Sequence, residues 1–270
     1  EGAVVMTAAG DIFENGYVCF EDGRIVAVGS GEYDAPDDAE VIDAEGSWVT
    51  PGIIDTHSHL GVYPTPYVDA HADGNEATSP LTPQVEAIDS IWPQDPGFER
   101  AVAGGITTLQ ILPGSANLIG GRTVTLKIHQ GALLAEQLRF PGAPDGLKMA
   151  CGENPKRVYG ERGRMPSTRM GSISVMRRAW EDARNYRERW DEYDEEMTEW
   201  CENGAPEDEE PSEPDVDYGN ETLAGAIDGE ILVHVHCYRA DEMLTQLELA
   251  DEYGYEVRSF HHAIEAYKIR

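Results

Sequence analysis

The chain has 270 residues with 51 acidic against 20 basic side chains, a formal charge of −31, and its 40% hydrophobic content is that of a packed core. Such a charge repels nucleic acid and anionic membranes, so neither is an expected partner. No apolar run approaches the roughly 18 residues of a membrane helix, and Cys19, Cys151, Cys201 and Cys237, scattered without CxxC spacing, read as reduced thiols of a soluble cytoplasmic protein.

Residues 1–50 read as short strands: Val4 to Met6, Tyr17 to Phe20, Arg24 to Val28 and Glu40 to Asp43. Glu21-Asp22-Gly23 marks a hairpin turn between the second and third. From Pro51 the pattern becomes strands alternating with helices, as a parallel α/β architecture requires. Six strands are expected: Ile53 to His59, Ile106 to Leu112, Thr123 to Ile128, Leu147 to Ala150, Ile231 to His236 and Val257 to His262. A helix is expected from Phe98 to Gly105.

An insertion over residues 157–228 separates the fourth and fifth of these strands. Met176, Ala179, Ala183, Tyr186, Trp190, Tyr193, Met197 and Trp200 recur at alternating spacings of three and four, forming one apolar stripe of a long helix. That stripe packs on its own barrel or makes a subunit contact in a homo-oligomer. The following stretch, residues 205–215, is charged and proline-rich and reads as a mobile acidic loop.

Thr50-Pro51-Gly52-Ile53-Ile54-Asp55-Thr56-His57-Ser58-His59 organises the rest. Side chains two apart on a strand share a face, so His57 and His59 can aim both imidazoles at one point where the strand stops. Three further candidates sit near predicted strand ends. Glu153 follows the fourth strand. His236 ends the fifth, with His234 on the same side as either a second ligand or a core residue beneath. His262 ends the sixth, where His261 should face the opposite way.

These motifs resemble the amidohydrolase superfamily, whose first barrel strand carries Pro-Gly, two hydrophobic residues, then Asp-X-His-X-His. The segments 113–122, 152–157 and 165–171 look most like its imidazolonepropionase-related members of unassigned substrate. The resemblance implies a (β/α)8 TIM-type barrel over residues 51–270, strands 1 to 6 being visible, preceded over residues 1–50 by part of a small β-sandwich. It implies a hydrolase of C–N bonds in an amide, cyclic amide or N-acyl amino acid, acting on a small molecule with one or two divalent metal ions. Zn is the first choice, and Fe, Mn, Co or Ni are alternatives. His57, His59, His236 and His262 would hold metal, with Glu153 bridging in preference to a carboxylated Lys148, which lies early in its strand. The metal-binding aspartate that ends an eighth strand in the superfamily is expected beyond Arg270, so that the natural protein would exceed this length. Arg122 and Arg169 are candidates for binding an anionic group of the substrate. The acidic composition, with only Lys127, Lys148, Lys156 and Lys268 as lysines, resembles proteins of salt-accumulating halophiles. A non-catalytic binding barrel, or an assembly protein built on the long helix, remains a distinct alternative.

Overall fold

The computed structural model describes residues 1–206 and 210–270; Glu207, Asp208 and Glu209 of the acidic loop lie outside the described residues. The chain forms two compact units, Glu1–Ile53 and Ile54–Arg270. In the first, strands β1 (Ala3–Met6), β2 (Ile12–Glu21), β3 (Arg24–Ser30) and β4 (Trp48–Val49) form one sheet in the order β3-β2-β1-β4. Asp22 and Gly23 both have positive φ, 49° and 73°, which gives the tight turn whose twist matches the paired strands β2 and β3. The strand expected over residues 40–43 is absent. Glu40 to Asp43 is irregular, and the strand pairing beside β1 is taken instead by Trp48–Val49.

The second unit is a mixed α/β fold around a six-stranded sheet of β5 (Ile53–Ser58), β6 (Ile106–Ile111), β7 (Ile119–Lys127), β8 (Gly146–Ala150), β9 (Leu232–Cys237) and β10 (Val257–His262), ordered β10-β9-β8-β7-β6-β5. Helices α1 (Pro96–Ala103), α2 (Glu153–Gly160), α3 (Arg169–Glu202), α4 (Tyr218–Ile227) and α5 (Ala240–Tyr253) connect them. The sheet is barrel-like, because side chains of its two edge strands, β5 and β10, meet.

The sheet is not all parallel. β8, β9 and β10 run parallel, but β7 is antiparallel to both β6 and β8. The reason lies in loop length. Only residues 112–118 separate β6 from β7, whereas a parallel crossover needs a dozen or more residues. A hairpin is the solution left to so short a connection.

Asp95 fixes the chain leaving β5. It is 1% exposed, caps α1 through Gly97 N at 2.8 Å, and accepts N–H groups of Gly61 and Thr65 at 3.0 Å each. One carboxylate thereby joins the start of a helix to the loop that follows the His-X-His segment.

The long helix exists as one piece, but its stripe is unevenly used. Met176, Ala179, Ala183 and Tyr186 are buried with Trp180 in the core under β8 and β9, while Trp190, Tyr193, Met197 and Trp200 are only half-buried. Trp200 Nε1 donates to Pro206 O at 2.8 Å, so the segment after the helix folds back on its end. Among the described residues no helix is long and apolar enough to cross a membrane.

Cys151 and Cys237 form a disulfide, against the expectation of four reduced thiols. The cause is register. Ala150 pairs with His236 across the parallel β8 and β9, so the next residues of the two strands lie side by side, with Cα atoms 5.3 Å apart.

Trp180 is fully buried and stacks on Tyr255 with ring centroids 4.0 Å apart. Trp180→Ala is expected to cost about 3–5 kcal/mol, and Trp190→Ala, on the half-buried part of the same helix, clearly less. Urea unfolding at constant high salt gives both values, and equal losses would contradict the uneven anchoring of α3.

Candidate functional site

Six of the eight histidines converge at one end of the sheet: His57 and His59 from β5 and its end, His234 and His236 from β9, and His261 and His262 from β10. His57 Nδ1 and His261 Nδ1 are 2.5 Å apart. The His262 ring centroid is 5.0 Å from that of His57 and 4.7 Å from that of His236. His59 Nδ1 sits 2.7 Å from the Leu112 carbonyl, which places its proton there and leaves Nε2 with a free lone pair.

Lys148 lies among them with no exposed surface, its Nζ donating to Pro113 O at 3.0 Å. Burial lowers its amino group to about 8. Burial, and then the charge of Lys148, lowers His57 to about 3 and His234 to about 4. For His236, at about 3, burial is followed by His262 and then Lys148; for His261, at about 4, by His234 and then Lys148. His59 and His262 are lowered as well, again chiefly by burial. All six imidazoles are therefore neutral near pH 7, the form that binds metal.

The donor set has the chemistry of a divalent-cation site, neutral imidazoles with free lone pairs, although among the described residues no three of these rings offer one nitrogen each within 4.8 Å of one another. His236 Nδ1 is buried without a hydrogen-bond partner, and the pair His57 Nδ1 and His261 Nδ1 can hold at most one proton between them. His261 Nε2 lies 2.8 Å from Ser259 Oγ, the hydroxyl that also stands 2.8 Å from His234 Nδ1. His234 Nε2 is 3.0 Å from Gln110 Nε2, so protein groups engage both nitrogens of His234. It is a packed layer beneath the cluster, and its ring lies so close to Gly146 that a Cβ there would come within 2.7 Å of it.

Known proteins resemble this chain over part or nearly all of its length. No protein-family model matches the chain. It is 36% identical to "Amidohydrolase tasK" of Hapsidospora irregularis over 96% of its own length and 26% of tasK. It is 34% identical over 40% of its length, and 23% of the relative, to a 5-methylthioadenosine/S-adenosylhomocysteine deaminase of Bacillus cereus. A crystal structure of an amidohydrolase from Thermotoga maritima superposes with a TM-score of 0.88 at 37% identity, covering 99% of this chain and 65% of that one. The chain is homologous to amidohydrolases. It spans about a quarter of tasK and under two thirds of the Thermotoga chain.

In this amidohydrolase homologue the structure brings His57, His59, His236 and His262 together. It does not bring in Glu153, which is exposed in the first turn of α2 and forms no hydrogen bond or ion pair with the histidines. Its neighbour Asn154 approaches instead, Nδ2 lying 3.2 Å from His236 Nε2. The charge of Lys148 acts on all six imidazoles although the residue starts about 7 Å below the strand end, two residues along β8. Its four-carbon stem covers that distance. A lysine inside an otherwise apolar five-residue strand was the available signal, since lysine is almost never fully buried without a purpose.

His261 also joins the cluster. Strand alternation should turn it away from the face His262 occupies, but His262 and Ala263 have φ of 66° and 41°, which ends the alternation and lets both rings meet His57, with His262 remaining exposed. Glu265 serves the helix layer, accepting Ala240 N at the start of α5 at 3.1 Å. Arg122 is engaged by Thr222 Oγ1 at 3.0 Å and Glu86 at 3.6 Å, and Arg169 by Asp241 at 2.6 Å; neither reaches the histidines.

An imidazole with a lowered folded pKa refuses protons that the unfolded chain accepts below its ordinary value of about 6.5, so stability falls as pH drops through that point. The metal-free chain is expected to lose thermal stability from pH 7 to pH 5, a window above the ordinary carboxylate range. His236→Asn should flatten that slope. Melting temperatures by circular dichroism at fixed salt decide it; a wild-type slope of zero or opposite sign would contradict the neutral cluster.

Proposed function

We propose that this chain carries the metal centre of a metal-dependent hydrolase that cleaves a C–N bond in an amide, cyclic amide or N-acyl amino acid. One observation carries the reading: imidazoles from β5, β9 and β10 converge around a fully buried lysine. The named relatives, amidohydrolases and a deaminase, support the bond class without selecting the substrate.

His57, His59, His236 and His262 are the proposed ligands, with His261 as a further donor. The ions, Zn in the first instance and Fe, Mn, Co or Ni otherwise, supply Lewis acidity toward a carbonyl and bring the pKa of water near neutrality when bound. Lys148 is the proposed bridging group in place of Glu153. With its pKa lowered to about 8, a substantial fraction of its amine is neutral in mildly alkaline solution and could add CO2, releasing one proton to solvent, to give a carbamate anion that would supply oxygen donors to bound ions. Pro113 O orients the amine, and Leu112 O holds the His59 tautomer. Asn154, through its amide, positions the His236 ring. Relatedness to the imidazolonepropionase group and a halophilic origin are part of the same reading, so the assays belong at high salt.

Metal content by elemental mass spectrometry, on protein purified without chelator or nickel resin, is expected to be one to two equivalents per chain. It should be lost in the double variant His57→Asn, His59→Asn. Lys148→Ala should lower both metal content and hydrolysis, by at least about tenfold in affinity, with partial rescue by added formate or acetate. Glu153→Gln should leave both unchanged. A folded chain without metal would sink the proposal, and a defect in Glu153→Gln matching that of Lys148→Ala would return the bridge to Glu153.

A further inference from the structure

The other face of β8 and β9 carries a separate group. In β9, His236 and Cys237 are adjacent and point to opposite sides. Cys237 and Cys151 accordingly belong to the core on the helix side, with Met176 and Met243. Glu242, in the first turn of α5, meets them there. One atom from each of Cys151, Cys237 and Glu242 lies within 4.8 Å of the others, and the three residues are 5%, 0% and 8% exposed.

Glu242 is the unexplained member. Among the described residues its carboxylate makes no hydrogen bond or ion pair, although it is more than nine-tenths buried. The disulfide beside it has no proton to donate to a carboxylate oxygen. The backbone nonetheless leaves room for it. Gly152 has φ +75°, and a Cβ there would stand 2.8 Å from Glu242 Oε2. A cavity of about 320 Å³, bordered by Cys151, Gly152, Ile173, Glu242 and Gln246, opens onto the group.

We propose that Cys151, Cys237 and Glu242 form a second cation site, open only in the reduced chain, for a thiophilic d10 ion of the Zn²⁺ class. A dithiol reductant delivers two electrons and two protons to the S–S bond and closes to its own disulfide, leaving two thiols. The incoming cation releases both thiol protons to solvent. Two thiolates and one carboxylate then supply three of four tetrahedral positions, and the cavity gives access to the fourth. Oxidation removes both sulfur ligands at once, so redox state decides occupancy. Because the site uses the helix side of the strands, it does not rest on the histidine cluster being a metal centre.

The test uses Cd²⁺, whose thiolate charge-transfer absorption reports sulfur ligation and is blind to imidazole. The chain with Cys19→Ser and Cys201→Ser is reduced with dithiothreitol, desalted without oxygen and titrated. One equivalent of Cd²⁺ should develop the band in the reduced chain and none in the oxidised one. Glu242→Gln should need at least about tenfold more Cd²⁺, while His57→Asn with His59→Asn leaves the band unchanged. In the unsubstituted reduced chain, Cd²⁺ should protect Cys151 and Cys237 from alkylation and leave Cys19 and Cys201 reactive. Absence of the band in a folded, reduced chain overturns the proposal. So does an unchanged titration in Glu242→Gln, or a chain that unfolds once reduced.

Discussion

The arrangement depends on keeping one lysine amino group out of water. Lys148 is fully buried, holds a single carbonyl hydrogen bond, and has no carboxylate to pair with among its neighbours. A buried ammonium in that position is costly, and its pKa falls in response. The same charge and the same burial press the surrounding imidazoles toward neutrality. A cluster of six histidines can therefore pack together without mutual repulsion, and it presents lone pairs in place of protons. Asp55, whose Oδ1 accepts His57 N at 3.0 Å, is the carboxylate that opposes this pressure at His59, and carboxylation of Lys148 would add a second negative charge on the spot.

The sequence made the histidine-bearing face legible through period and position. His57 and His59 share a strand face, His236 stands at the end of its strand, and all of these meet as the alternation rule requires. What it hid were departures from regular geometry. His261 joins because His262 leaves extended backbone conformation, which no periodic pattern announces. The reach of Lys148 from early in β8 to the Pro113 carbonyl is a matter of side-chain length, which position along the strand does not convey. The disulfide was missed because Cys151 and Cys237 are 86 residues apart, and only the register of β8 against β9 makes them neighbours. The long helix was visible end to end, yet the pattern did not distinguish the half that packs under the sheet from the half that packs less closely.

The expected all-parallel order failed at β7, and that failure serves the site. Because β6 and β7 form a hairpin, the residues between them stay at the histidine end of the sheet. From this short connection come the Leu112 carbonyl that fixes His59 and the Pro113 carbonyl that holds Lys148. It continues into Asn117, which ties down the segment after β5 through Glu76 O at 2.8 Å and Thr82 Oγ1 at 2.7 Å. A helical crossover would have carried the chain to the other end of the sheet before it returned. The antiparallel strand thus keeps two backbone acceptors beside the two groups whose protonation matters most, at the cost of one irregularity in an otherwise α/β order.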